Sequence, residues 1–287
     1  MLCVLEFNVQ SVQTYCLVGL ISVTAACLRY LLMTGTYYII VCQLFDRKFR
    51  KYKINPDRVS GGVVQKEMSW ALLNNLNYAI LATATYGLYE RGWLKLYFDW
   101  HEYGTLYGLL VILVLLLAHD AYFFWAHYLM HREPFRRISH HWVHHQFHNV
   151  TPWSAFSVHP IEGFVELLFR PVLLMLIPTH PYTLVAFAIL SFGLNIIGHS
   201  GYEFFPKNFA TSPLTKFSSC ATYHYLHHRN SNCNFALFFN FWDRIMGSMA
   251  PDYASFYAAT RGRVDSADRA ESYSAKAASR GFASRER

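Results

Sequence analysis

Eight of the fifteen histidines in this 287-residue chain fall into three groups whose spacing suits metal ligation. The first is His127-Tyr-Leu-Met-His131, an i, i+4 pair that puts both imidazoles on one face of a helix. The second is His141-Trp-Val-His144-His145 and the third is His224-Tyr-Leu-His227-His228. On a helix, the i and i+3 or i+4 nitrogens can converge on one ion while the adjacent histidine points round the helix towards another. A single structural zinc takes about four ligands and a haem iron takes one or two axial histidines, so eight imidazoles exceed what one ion can use. A lone HxxxH is commonly a surface pair. Its recurrence beside two HxxHH groups points instead to a dinuclear centre, with these eight histidines as its catalytic core.

The elements that must position them follow from composition. The chain is 53% hydrophobic and 17% aromatic but only 15% charged, which excludes disorder over most of its length and shifts the expectation to an all-α, integral membrane protein. From Phe7 to Phe45 the only charge is Arg29, enough for one tilted span with an interfacial extension. Further uncharged runs cover Met68 to Tyr89, Tyr103 to Ala118, and Pro171 to Tyr202, the last broken by Pro178-Thr179-His180-Pro181 into a hairpin. The expectation is four to five membrane-embedded helices under a histidine-rich helical cap.

The net charge of +7 gathers at Arg47 to Arg58, at Arg132, Arg136 and Arg137, and after Thr260. These clusters flank apolar runs, as cytoplasmic charge does, rather than forming a nucleic-acid surface. With the first cluster inside, even numbers of crossings return Arg132 to Arg137 and the segment after His199 to the same face, so all three histidine groups are expected on the cytoplasmic side. Cys3, Cys16, Cys27, Cys42, Cys220 and Cys233 form no CxxC pair and read as free thiols in a reducing compartment. No basic segment precedes the first apolar run, which reads as a retained anchor. The expected organisation is membrane anchor helices at 1–117, a catalytic domain with its membrane hairpin at 118–250, and a polar, disordered tail at 251–287.

The three groups, with Asp120-Ala-Tyr-Phe-Phe-Trp, His159-Pro160-Ile-Glu162, His199-Ser-Gly-Tyr-Glu203, Asn234-Phe235 and Phe241-Trp242-Asp243-Arg244 in that order, resemble the fatty acid hydroxylase/sterol desaturase superfamily of membrane di-iron enzymes. The HSGYE and FWDR stretches are most similar to the C-4 methylsterol oxidases. The resemblance covers roughly Ala118 to Met249. The chain departs from it at Tyr128, where the family usually has Arg, and at Tyr223 and Tyr225 in the third box. It implies two iron ions held by His127, His131, His141, His144, His145, His199, His224, His227 and His228, with O2 as co-substrate. It also implies hydroxylation, oxidation or desaturation of an unactivated C–H bond in a sterol-like or long-chain lipid, in the endoplasmic reticulum or a bacterial inner membrane.

Asn195, one helical turn before His199, is expected either at the site or as a packing amide. His159 is expected either near substrate or as a loop organiser. His101, His119, His140, His148 and His180 are left outside the ligand set. Trp125, Trp153 and Phe156 are candidates to line a lipid cleft or to form an interfacial belt. The chain carries no Rossmann fingerprint, CxxC cluster or haem motif, so its electrons must come from an external donor such as a cytochrome b5 or a ferredoxin. The rival readings are a metal-transporting or metal-sensing membrane protein and an inactive scaffold; a transporter should carry ionisable groups along a path at membrane depth.

Overall fold

A computed structural model describes residues 9–267, in which helices are the regular secondary structure, with only isolated bridges such as Lys53 to Tyr202 between extended segments. The first apolar run forms α1 (Val9–Tyr37) and continues as a π-helical turn through Tyr38–Leu44 before the short α2 (Asp46–Phe49). Three helices among the described residues are long and apolar enough to cross a membrane: Ser11–Leu44, Gly104–Met130 and Pro181–Gly198. Their outward faces carry exposed Leu20, Leu32, Leu106, Leu109 and Val185, as expected where lipid is the solvent.

The run expected as one span at Met68 to Tyr89 is two helices, α3 (Gly61–Asn74) and α4 (Leu76–Glu90), interrupted at Asn75. The break places three amides inside the protein. Asn77 donates to Pro160 O (2.7 Å) and Asn74 Oδ1 (2.9 Å), and Asn74 donates to Phe156 O. Buried amides require such partners. α3 approaches the later segment so closely that a Cβ on Gly163 would lie 1.8 Å from Asn74 Oδ1. α4 lies along α1, where Gly87 leaves room for Tyr15.

α5 (Gly104–Met130) runs on beyond the apolar stretch and carries the first histidine pair at its end. A short α6 (Phe135–Ser139) and the single-turn α7 (Trp142–His145) follow, then α8 (Pro160–Leu167) and α9 (Phe169–Leu176). The proline break falls where the sequence puts it. His180 caps α10 (Pro181–Gly198) by accepting from Tyr182 N, with Pro181 at the first helical position. α5 and α10 pack through Val111, Leu115, Leu116 and Phe187, with Phe169 from α9.

α11 (Ala221–Arg229) and α12 (Phe241–Met246) complete the cap. The segment expected as a disordered tail instead continues as a helix at residues 253–267, and the remainder lies outside the described residues. Its composition is polar, but Tyr253, Tyr257 and Val264 share one face and are 1% exposed. Tyr253 and Tyr257 pack with Phe209, Tyr223 and Leu226 behind α11, each buried aromatic contributing roughly 1.5–3 kcal/mol. The five described cysteines are free thiols.

Candidate metal centre

The nine histidines expected as ligands lie in two adjoining groups. His127, His131, His141, His145 and His227 form the first, and His144, His199, His224 and His228 the second, with the donor atoms of each group within 4.8 Å of one another. Each HxxHH segment divides between them. The i, i+4 pair His141 and His145 joins the first group while His144 turns to the second. His224 and His228 join the second group while His227 turns to the first. The centre is therefore interlocked by both segments. α7 achieves this in one turn, with His141 at its N-cap.

Nε2 atoms face one another at 3.1 Å (His127 to His141), 2.9 Å (His145 to His141), 3.0 Å (His227 to His145), 2.8 Å (His224 to His199) and 3.0 Å (His228 to His224). The opposite ring nitrogens fix the tautomers. His127 Nδ1–H donates to Phe235 O (2.7 Å), His227 Nδ1–H to Cys233 O (2.7 Å), His199 Nδ1–H to Asn195 O (3.0 Å) and His141 Nδ1–H to Glu162 Oε1 (2.7 Å). With Nδ1 carrying the proton, each Nε2 presents a lone pair. Converging lone pairs repel one another unless a cation lies among them. Nitrogens about 2.0–2.1 Å from one ion sit about 3 Å apart, so the donor set fits metal ions.

Burial keeps these groups in the donor form. His144, His224 and His228 are held well below the usual imidazole range by burial and by neighbouring imidazoles, and burial brings His227 to about 3. Burial, then the charge of Glu166, pushes the Glu162 carboxyl well above the carboxylate range. Unfolded imidazoles bind protons below roughly pH 6.5, whereas the folded ones refuse them. In the metal-free protein these histidines should therefore cost no stability above that pH and a growing amount as pH falls below it towards about 3, while the raised Glu162 carboxyl works in the opposite direction and favours folding at low pH. The melting temperature of metal-free protein should fall more steeply between pH 6 and 5 in the wild type than in His227→Ala; equal slopes would contradict this burial.

The motifs around the boxes build the frame. Asp243 accepts from Phe235 N (2.9 Å), Ala236 N (2.8 Å), Ser248 Oγ and Tyr223 OH. Asp120 Oδ1 accepts from Phe238 N and Phe239 N. Together they clamp the loop whose carbonyls hold His127 and His227. Glu203 Oε2 accepts from Thr222 N (3.0 Å) in the first turn of α11, where a carboxylate complements the helix dipole. The turn after His199 needs Gly201, whose φ is +74° and whose Cβ would lie 2.8 Å from Val150 O.

Glu162, Asp120, Asp243 and Glu203 were legible as motif residues, but their roles were not, because a carboxylate's partner in another segment leaves no local pattern. The departures from the family pattern have partners: Tyr223 donates to Asp243, Arg132 donates to Tyr128 OH, and Tyr225 stacks on Phe256.

The other residues singled out are placed as follows. Asn195 donates through Nδ2 to Ala155 O (2.8 Å), and its backbone carbonyl holds His199, so it supports the site from behind. His159 caps α8 by accepting from Ile161 N, and its ring packs on His140 and Trp70. His119 stacks on Phe169, His148 donates to His228 O, and His180 lies against Phe98 O near the hairpin turn. Of the aromatics considered for a lipid cleft, Trp125 packs on Trp242 and Trp153 on Tyr30, while Phe156 lines a cavity.

Residues 112–248 match the family described as fatty acid hydroxylase. The chain is 33% identical over 148 residues to cholesterol 25-hydroxylase of Homo sapiens, covering 48% of this chain and 50% of that protein. It is 28% identical over 232 residues to lathosterol oxidase of Homo sapiens (79% and 72%). It is 27% identical over 219 residues to methylsterol monooxygenase 1 of Gallus gallus (75% and 73%). The chain spans about half the length of the cholesterol 25-hydroxylases that it matches. No solved structure matches it.

Proposed function

We propose that the chain, whose residues 112–248 match the fatty acid hydroxylase family, is a membrane-bound di-iron oxygenase acting on an unactivated C–H bond of a sterol-like or long-chain lipid. The observation that carries this reading is the convergence of nine imidazole nitrogens into two interlocked groups. The sterol relatives support the substrate class.

His127, His131, His141, His145 and His227 would hold one ion and His144, His199, His224 and His228 the other. When bound, the irons supply the one-electron chemistry that activates O2 for removal of hydrogen from carbon. The overall change is C–H plus O2, two electrons and two protons giving C–OH and water. Desaturation uses the same electrons but removes a second hydrogen. The chain's own task is to hold neutral donors in place through Glu162 and the carbonyls of Phe235, Cys233 and Asn195. Burial of all four histidines of the second group, and of His127, His141 and His227 in the first, limits water.

The histidine cap faces the cytoplasm, following the charge pattern of the connecting segments. Electrons come from an external carrier such as a cytochrome b5 or a ferredoxin. The surface by His131 suits its docking: Arg136 and Arg137 share the single carboxylate of Glu133, so the patch stays cationic.

The test is to purify the protein, count iron and supply a reducing partner, O2 and sterols. About two irons per chain with O2-dependent oxidation of a lipid is expected from a site of this donor number. Fewer than about one and a half irons per chain, after loading under reducing conditions, would defeat the dinuclear reading.

A further inference from the structure

Arg29 lies near the middle of the Ser11–Leu44 span and is the only charge in its apolar run. Such a residue is costly in lipid and calls for a function. It lines an apolar cavity of about 530 Å³ whose walls include Ala25, Leu81, Leu174, Val185 and Ile189, a size suited to a lipid-like ligand. At the inner end Arg29 and Arg170 bracket the ring of Tyr78, with guanidinium carbons 4.9 and 5.2 Å from its centre. Arg29 Nε and Nη2 and Arg170 Nε are buried without a hydrogen-bond partner.

A second cavity of about 60 Å³ shares Tyr78, Leu167, Arg170 and Ala188 with the first. Its lining mixes apolar side chains with the polar Asn74, His119, Glu166 and Asn195, and His119 Nδ1 and Asn195 Oδ1 are buried there without partners. Its wall reaches Phe123, whose ring centre is 4.9 Å from that of His127, and Asn195, whose carbonyl holds His199. An apolar route from the membrane thus narrows to a polar waist immediately before the histidine centre.

We infer that Arg29, Tyr78 and Arg170 bind the oxygen-bearing end of the lipid substrate, with its hydrocarbon body in the larger cavity, so that oxidation falls on a carbon close to that oxygen. The inference rests on the oxygenase reading for the centre and adds the orientation of the substrate. The unpaired guanidinium N–H groups require an acceptor, which a hydroxyl or a carboxylate oxygen supplies. Tail-first entry would instead leave them unpaired and press a chain end against the amides, His119 and Glu166, a costly exchange. The smaller cavity has room for about two waters, not for a long chain.

The test measures binding and product position separately. Purified wild-type protein in detergent is titrated with cholesterol and its 3-deoxy counterpart, and with stearate and octadecane. At least one oxygenated lipid should bind about tenfold or more tighter than its deoxygenated partner, because an unpaired polar site rejects the analogue. The pair that discriminates tells hydroxyl from carboxylate. Arg29→Met and Arg170→Met should erase the difference, while Arg29→Lys, checked for an unchanged melting temperature, should restore part of it. Equal binding within both pairs, absence of binding by either oxygenated lipid, or discrimination that survives in the methionine variants would overturn the inference. Product position is read by mass-spectrometric fragmentation. Oxidation at the far end of the hydrocarbon would also overturn the inference while leaving the oxygenase reading intact. Oxygen-dependent discrimination in binding without any turnover would count against the oxygenase reading and leave the polar waist standing.

Discussion

His144→Ala should lower bound metal from about two ions per chain to about one and reduce turnover by at least about 10³-fold, since the lost ligand belongs to a four-nitrogen set. His227→Ala should do the same to the other ion. The more discriminating result is the grouping. His141→Ala and His145→Ala should resemble His227→Ala, whereas His224→Ala and His228→Ala should resemble His144→Ala, because the two HxxHH segments exchange their central histidines across the centre. Metal analysis with a spectroscopic signature of the remaining ion would sort the six variants. If His224, His227 and His228 instead behaved as one set, the interlocked arrangement would be wrong.

Asp243→Ala should destabilise the protein by about 3–5 kcal/mol, because it strips two buried backbone N–H groups and two hydroxyls of one shared acceptor. Asp243→Asn, which keeps the volume, should cost less stability yet weaken metal binding about 10–100-fold, the range for groups that orient ligands from behind. The route is specific: loosening the loop at Phe235 and Ala236 releases the carbonyls that fix His127 and His227. Chemical denaturation paired with metal titration separates the two effects. An Asp243→Asn protein that folds and retains wild-type metal affinity would show that the loop is held by other contacts.

The apolar spans were the most legible part of the fold. Length and lack of charge suffice to mark the α1, α5 and α10 spans, since lipid imposes both conditions on any crossing helix. The α3–α4 break was hidden, because Asn74, Asn75 and Asn77 look like polar intrusions until Pro160 and Phe156 supply their acceptors. The helix at residues 253–267 was missed for a related reason. Its composition is that of a tail, and only the apolar cluster behind α11 shows where Tyr253 and Tyr257 belong. Arg29 was visible as the sole charge in its run, but its significance required Tyr78 and Arg170 beside it.

The spacing by itself marked eight of the side chains that gather at the centre, and the family resemblance added His199. Imidazoles at i, i+3 and i+4 have fixed directions along one helix, and the low count of carboxylates left histidine as the available donor. Only the tertiary structure decided how the nine divide into five and four. Spacing fixes directions within a helix but not the rotation of one helix against the next. Here that rotation is set by buried contacts between distant segments: Glu203 at the start of α11, Asp120 and Asp243 on the loop beyond it, and Glu162 behind His141.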